Sequence, residues 1–336
     1  MRAPAFWWSA TPSPLALLLR PAALLYGAVA ARRLGRDGGR ASVPVMCIGN
    51  FTVGGAGKTP SALAVSRILK DLGEQPAFLS RGYGGRLAGP VRVGPEHGAA
   101  AVGDEPLLLA RAAPVIVSRA RPEGAAWAAA SGASVIVMDD GLQNSSLRKD
   151  LTIAVVDGAT GLGNRLALPA GPLRAPLGAQ WPKVDAVLVI GEGSAGEAVA
   201  REAAGLEKPV LRGRLEPEPE AATRLTGRRV LAFAGIGRPE KFFETLKACG
   251  AIVEAERAFP DHHPFSTGDL AALRRDAGSR GLALVTTEKD AARIGARDLA
   301  DAILALPVRL RLEDEAALRV LLEAALERAR QSSGRG

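Results

Sequence analysis

Between positions 49 and 59 the chain reads Gly49-Asn50-Phe51-Thr52-Val53-Gly54-Gly55-Ala56-Gly57-Lys58-Thr59. Glycines let consecutive backbone N–H groups turn inward onto the oxygens of a phosphate, and a following lysine and hydroxyl supply a cation and a metal ligand. In that reading Thr52, Val53, Gly54, Gly55, Ala56, Gly57, Lys58 and Thr59 form a cradle for a triphosphate. Lys58 reaches the β- and γ-phosphates and the Thr59 hydroxyl holds Mg2+. The usual spacing of such a loop puts Gly at position 52, where this chain has Thr52.

A phosphate loop needs a strand before it and a helix after it. Val43 to Ile48 is a short apolar run suited to a buried parallel strand. Val65, Ile68, Leu69 and Leu72 follow at helical spacing, and Gly73 supplies the stop. A second apolar run, Ala133 to Met138, ends in Asp139-Asp140-Gly141. A carboxylate at the carboxyl end of a parallel strand faces bound phosphate and Mg2+, which makes Asp139 a metal candidate beside the glycine loop; taken alone, it would read as an Asp-Gly turn closing the strand. Ser80 to Arg86, with two arginines among glycines, suits an anionic ligand. Asp104 and Glu105 stand before an apolar helix, where helix-terminal acids are also ordinary. Asn164 to Arg174 reads as a Pro/Gly connector, and Glu216 to Glu220 as a linker.

After that linker the pattern restarts. Arg229 to Ala234 is a strand, Pro239 to Cys249 a helix, Ala251 to Phe259 extended, and Ser266 a plausible cap for the next helix. Leu282 to Thr286 is another strand, and Glu288-Lys289-Asp290 starts a helix rather than a guanine-specificity loop. Length and pattern predict an α/β protein: a P-loop NTPase-like parallel sheet flanked by helices, a second smaller α/β domain and an N-terminal membrane-associated helix. The expected boundaries are 1–40 for the N-terminal segment, 41–215 for the P-loop domain and 225–336 for the second domain, which would close over the active site.

The 336 residues are 47% hydrophobic and 23% charged, which excludes wholesale disorder. Two cysteines exclude a disulfide scaffold and a Cys-based zinc site, and three histidines leave little for a histidine-rich metal centre. The net charge of +8 fits an anionic partner as well as it fits a coding bias toward arginine. Aromatics are only 4%, with no aromatic-plus-basic module, so anionic lipid or a phosphorylated substrate is expected and nucleic acid is not. In the first 40 residues Phe6-Trp7-Trp8 precede two apolar runs, and Arg32, Arg33, Arg36 and Arg40 follow. Arg20-Pro21 divides those runs, so neither half reaches the ~20 residues that span a bilayer. An interfacial helix fits this pattern; a core helix and a signal peptide cleaved after Ala28-Val29-Ala30 are the rivals.

The ordered set of Gly49-Asn50 with Thr52 to Thr59, Ser80 to Gly85, Gly103 to Pro106, Asp139-Asp140-Gly141 with Gln143, Leu168 to Arg174, Gly235 to Phe243 and Asp261-His262 resembles the tetraacyldisaccharide 4'-kinase (lipid A 4'-kinase) family of Gram-negative bacteria. The likeness covers nearly the whole chain, and Thr52 agrees with that family. It implies ATP- and Mg2+-dependent phosphorylation of the 4'-hydroxyl of an acylated glucosamine disaccharide 1-phosphate. The expected location is the cytoplasmic face of the inner membrane, on its cytoplasmic leaflet, peripheral or monotopic. By the same resemblance Asp104 takes the hydroxyl proton, His262 orients that carboxylate, and Lys58 stabilises the transferring phosphoryl group. Thr59, Asp139 and Glu105 set the Mg2+. Arg81, Arg86, Arg119, Arg121, Arg165 and Arg174 are the candidates for the 1-phosphate or lipid headgroups. The alternatives are another P-loop small-molecule kinase at the membrane surface, and a P-loop ATPase switch that controls partner docking without making a phosphorylated lipid.

Overall fold

The computed structural model describes residues 3–295 and 303–333; the outermost residues of the expected 1–40 and 225–336 segments, and the stretch 296–302, lie outside them. An N-terminal helix α1 (Pro14–Leu34) is followed by β1 (Val45–Gly49), α2 (Lys58–Asp71), β2 (Pro76–Ser80), β3 (Val91–Arg92), α3 (Ala99–Val102), α4 (Asp104–Leu109) and β4 (Val115–Val117). Then come α5 (Arg121–Ala130), β5 (Val135–Asp139), β6 (Leu151–Asp157), α6 (Leu177–Gln180), β7 (Ala186–Ile190), α7 (Ser194–Gly205) and β8 (Val210–Pro217). A second run holds α8 (Pro219–Leu225), β9 (Arg229–Ala234), α9 (Pro239–Ala248), β10 (Ile252–Ala258), α10 (Thr267–Arg280), β11 (Ala283–Thr287), α11 (Glu288–Ile294) and β12 (Ile303–Leu306). The chain closes with β13 (Val308–Leu312) and α12 (Glu315–Ser333).

The strands build two sheets. The larger has nine strands in the order β13-β8-β7-β6-β1-β5-β2-β4-β3, parallel except for the two edge strands β13 and β3. Its inner strands are apolar without alternation because helices cover both faces. Along β1, Met46 and Ile48 pack with Val65, Ile68 and Leu69 of α2, while Val45 and Cys47 face Ala125 and Ala128 of α5. The smaller sheet is the parallel set β10-β9-β11-β12, with its own apolar core on each face. The protein is thus α/β, with a P-loop-type parallel sheet and a smaller α/β unit.

The segment 225–336 divides between the two sheets. Strand β13 pairs antiparallel with β8, and Leu318, Leu322 and Leu326 of α12 bury into the core of the first sheet. The stretch expected as a linker is correspondingly ordered: Glu216 and Pro217 end β8 opposite Arg309 and Val308, and Pro219 begins α8. The chain therefore leaves and re-enters the large sheet along adjacent strands.

Helix α1 runs unbroken through Arg20 and Pro21, which corrects the expectation of two short halves. Proline removes one helix hydrogen bond, but the surrounding leucines and alanines are the strongest helix formers and carry the helix past it. With 21 residues it has the length and composition to cross a bilayer. Its buried positions, Ala16, Ala23, Gly27 and Leu34, recur along one side, and a Cβ on Gly27 would lie 3.1 Å from the Pro176 ring. Leu17, Leu18, Leu24, Leu25 and Val29 are exposed. Ahead of it, the Trp7 indole donates to Pro169 O at 3.0 Å, and the Asn164 N–H donates to Trp7 O at 2.8 Å.

Candidate active site

The glycine loop leaves the end of β1 and turns into the first residue of α2. Gly57 caps that helix with φ +90°, and a Cβ there would meet Ile190 Cδ1 at 2.6 Å, so both backbone and neighbours require glycine. The loop's backbone is held from outside by residues remote in sequence. Gln143 Nε2 donates to Asn50 O at 2.7 Å and Gln180 Nε2 to Phe51 O at 3.3 Å. The Val53 N–H donates to Pro172 O at 2.9 Å, and Arg174 Nε donates to Thr52 O at 3.0 Å. The Pro/Gly stretch ending at Arg174 is therefore a buttress of the glycine loop rather than a bare connector.

Lys58 stands on the first turn of α2 with Nζ 3.3 Å from Gly54 O and 3.8 Å from Asp140 Oδ1. Burial lowers its pKa, and the carboxylate of Asp140 counters that effect. Asp140, in a left-handed conformation at φ +51°, also accepts from Arg174 Nη1 at 2.8 Å. Burial resists its charge, but Lys58 and Arg174 outweigh burial and hold the carboxyl below the usual range. Asp139, the last residue of β5, is only 4% exposed, and its Oδ1 is buried with no hydrogen-bond partner. Burial first, then repulsion from Asp140 and Glu105, pushes its pKa up to about 7. A divalent cation would relieve both penalties, and Thr59 is buried one residue after Lys58. Among the described residues no group of three or more His, Cys, Asp or Glu gathers into a cage. One or two carboxylates, a hydroxyl and substrate phosphates are the sparse donor set that Mg2+ takes, so the residues present fit it.

Asp104 opens α4 directly after Gly103, whose φ of +92° and close approach to Tyr83 O exclude a side chain. The Asp104 carboxylate is 4% exposed and is met from the second unit by two groups: His262 Nδ1 lies 3.4 Å from Oδ2, and Arg293 Nε donates to the same oxygen at 3.0 Å. Burial opposes its charge, but the hydrogen bonds with His262 and Glu105 and the cations Lys289 and Arg293 together keep it well below the usual carboxylate range. His262 has φ +56°, donates its backbone N–H to Gly235 O at 3.0 Å and sets its ring edge-on to Tyr83 at 5.8 Å. The hydrogen bond to Asp104 raises its pKa. Glu105 accepts from Lys289 Nζ at 2.8 Å, so it is occupied by a cation of the protein.

The fold thus brings Lys58, Thr59 and Asp139 to one end of the large sheet and joins Asp104 to His262 and Glu105 to Lys289 between the two units. Asp139 feels Glu105, Lys58 and Lys289 electrostatically, so the two groups form one charged cluster. The arginines separate. Arg174 belongs to the loop buttress, Arg165 pairs with Glu202 on the surface, and Arg119 Nη2 donates to Gly85 O at 3.4 Å. Arg121 is buried and donates to Ser118 O, whereas Arg81 and Arg86 are exposed on the loop beside Gly103. His263 stacks on Phe259 at 4.8 Å and faces Asp269, a structural setting. Lys289 and Arg293 carry no motif of their own. Their i, i+4 spacing on a helix start was the only local signal available.

A sequence model of the family described as tetraacyldisaccharide-1-P 4'-kinase matches residues 15–327. The tetraacyldisaccharide 4'-kinase of Methylobacterium sp. (strain 4-46) is 62% identical over 329 residues, covering 97% of this chain and 98% of its own. That of Bradyrhizobium sp. (strain BTAi1) is 56% identical over 341 residues, covering 98% and 97%. A crystal structure of LpxK from Aquifex aeolicus, described as an "apo" form in complex with ATP, superposes with a TM-score of 0.73 at 27% identity, covering 93% of this chain and 99% of its own.

Proposed function

The chain belongs to the tetraacyldisaccharide-1-P 4'-kinase family and is a phosphotransferase acting on an alcohol, and we propose that the glycine loop and the Asp104 cluster carry out that transfer at a membrane surface. Its reaction moves a phosphoryl group to the 4'-hydroxyl of tetraacyldisaccharide 1-phosphate, a step of lipid A synthesis. The donor is ATP, by analogy with the Aquifex aeolicus relative in complex with ATP. The observation that carries the assignment of roles is the meeting of His262 and Asp104 at 3.4 Å from opposite sides of the cleft, within the electrostatic reach of the Asp139 cluster.

Phosphoryl transfer asks for positioning and charge neutralisation more than for covalent chemistry. The backbone of residues 52–57 and the dipole of α2 bind the triphosphate. Lys58 neutralises the transferring group, and its neighbours Gly54 O and Asp140 keep it within the loop before nucleotide arrives. Thr59 and Asp139 would hold Mg2+, which neutralises phosphate charge when bound. Glu105 would join them only on leaving Lys289. Asp104 accepts the hydroxyl proton, and His262 fixes the orientation of that carboxylate. The exposed loop arginines Arg81 and Arg86 suit the anionic head of the substrate.

The acceptor is anchored in a bilayer by its acyl chains, so the enzyme works at the surface. Helix α1 supplies the apolar face for that contact. Its buried positions run from Ala16 to Leu34, nearly its whole length, so the protein body lies alongside it. A helix flanked that way is monotopic, lying in the interface of the cytoplasmic leaflet of the inner membrane. Incubation with ATP, Mg2+ and the disaccharide 1-phosphate, followed by mass analysis, tests the reading; one added phosphate is expected. Family membership does not favour the alternatives. ATP hydrolysis without a lipid product would restore the switch, and turnover of only water-soluble acceptors would restore the other kinase.

A further inference from the structure

Helix α11 of the second unit lies against α4 of the first, and its two cations face the two acids that open α4. Lys289 Nζ donates to Glu105 Oε1 at 2.8 Å, and four residues on Arg293 Nε donates to Asp104 Oδ2 at 3.0 Å. Arg293 is itself rigidly held. Its Nη1 donates to Gly235 O at 2.8 Å and to Asp290 Oδ1 at 2.6 Å. Asp290 is fully buried; its other oxygen accepts from the Gly235 N–H at 3.0 Å and the Thr287 hydroxyl at 2.7 Å.

Gly235 O is a shared node. It receives the Arg293 guanidinium and the backbone N–H of His262, and these two residues then converge on the same oxygen of Asp104. One carbonyl of the second unit therefore sets the geometry of both groups that grip the proton-accepting carboxylate of the first. Arg293 is 7% exposed, and its Nη2 is buried with no partner. A buried donor left unmet is destabilising, so the guanidinium sits where Asp104 needs it rather than where its own pairing is complete.

We propose that Arg293 is a positioning residue of the reaction: it fixes the Asp104 carboxylate from across the cleft, so that the proton acceptor is aligned only while the second unit is seated on the first. The proposal rests on the kinase reading above. Arg293 acts through Asp104 and touches no reacting atom. Without it the carboxylate loses its shortest contact from the second unit, keeping from that unit the longer one to His262 at 3.4 Å, and can rotate away from the hydroxyl. A misplacement of about 1 Å costs on the order of 10²-fold in rate.

The test uses the full-length enzyme with ATP, Mg2+ and the disaccharide 1-phosphate, and compares wild type, Arg293→Ala, Arg293→Lys, Asp104→Ala and the double variant Asp104→Ala/Arg293→Ala. Arg293→Ala should lower kcat about 10²-fold while the KM for ATP changes less than about threefold. Arg293→Lys, which keeps the cation but not the fork, should fall between Arg293→Ala and wild type, and it keeps the test open if the alanine variant misfolds. In the Asp104→Ala background the second substitution should cost less than about twofold, because residues acting as a unit are not additive. A full independent loss in that background, a kcat equal to wild type, or a loss that only follows the folded fraction measured by thermal unfolding would overturn the proposal. An inactive wild-type enzyme would instead overturn the kinase reading itself, and this inference with it.

Discussion

Lys58 Nζ lies 3.8 Å from Asp140 Oδ1, and that carboxylate is shared with Arg174 at 2.8 Å. The phosphate-loop lysine is therefore tied, through a single acid, to the segment that buttresses the loop from outside. Arg174 also holds Thr52 O, so one arginine supports both the loop backbone and the acid facing its lysine. Arg174→Ala should weaken ATP binding roughly tenfold, ~1.4 kcal/mol, with the fold intact. Calorimetric titration with a non-hydrolysable ATP analogue checks it; unchanged affinity would detach Arg174 from the loop.

Replacing the lysine itself has a different expected signature. Lys58→Ala removes the cation that stabilises the transferring group, so the turnover rate should collapse. The melting temperature should change little, because the contacts of Lys58 to Gly54 O and Asp140 are long and Asp140 keeps Arg174 as a partner at 2.8 Å. An active Lys58→Ala enzyme would remove the glycine loop from the mechanism.

Asp104→Ala should reduce turnover by about 10²–10⁴-fold, the range of a general base, while nucleotide affinity survives. Rates from single-turnover experiments at saturating ATP separate the two. Near-normal turnover would reassign the proton acceptor.

The membrane role of α1 can be probed without deleting it. Truncation would also remove Trp7, which ties the N-terminal segment to Pro169 and Asn164, and so would confuse anchoring with folding. Leu18→Glu with Leu25→Glu changes two exposed positions only. That variant should lose co-sedimentation with anionic vesicles yet phosphorylate detergent-dispersed substrate at near wild-type rate. Undiminished pelleting would place the anchor elsewhere.

The loop carrying His262 is fastened at its far end by the capping box of α10, in which Ser266 and Asp269 exchange hydrogen bonds. Hydrogen bonds from Ser266 first, then His263, hold the Asp269 pKa down at about 2. A depressed carboxyl contributes stability that is fully present above its unfolded value near 4 and lost as pH falls toward 2. The melting-temperature gap between wild type and Asp269→Asn should thus be constant at neutral pH and shrink between about pH 4 and 2. A gap independent of pH would show that the carboxylate's charge contributes nothing.

What was legible in the sequence was local. The glycine loop, the Asp139 strand end, the Ser266 cap and the helix start at Glu288 each declare themselves within a dozen residues, because phosphate cradles, strand ends and caps are built from neighbours. Lys289 and Arg293 meet Glu105 and Asp104 across 184 and 189 positions, a pairing that no spacing rule encodes. The sequence offers Arg174 as one of six candidates for the 1-phosphate or lipid headgroups but does not show its contacts to Asp140 and Thr52 O; a charge count gives the sign of a residue and not its address. Helix α1 failed differently. Pro21 signals a break in the sequence, but the leucines and alanines around it carry the helix through.

Strand β13 and helix α12 belong to the sheet that begins near residue 45, although they follow the smaller sheet in the chain. On the ribosome the smaller sheet, contiguous from Arg229 to Leu306, is complete before the nucleotide-binding sheet has its outer edge. A transcript cut short by thirty or so codons would leave β8 paired with β7 on one side only and bare the apolar surface that Leu318, Leu322 and Leu326 cover. A chain that stops short of these elements therefore bares core-facing apolar surface that the full chain buries, a surface prone to association.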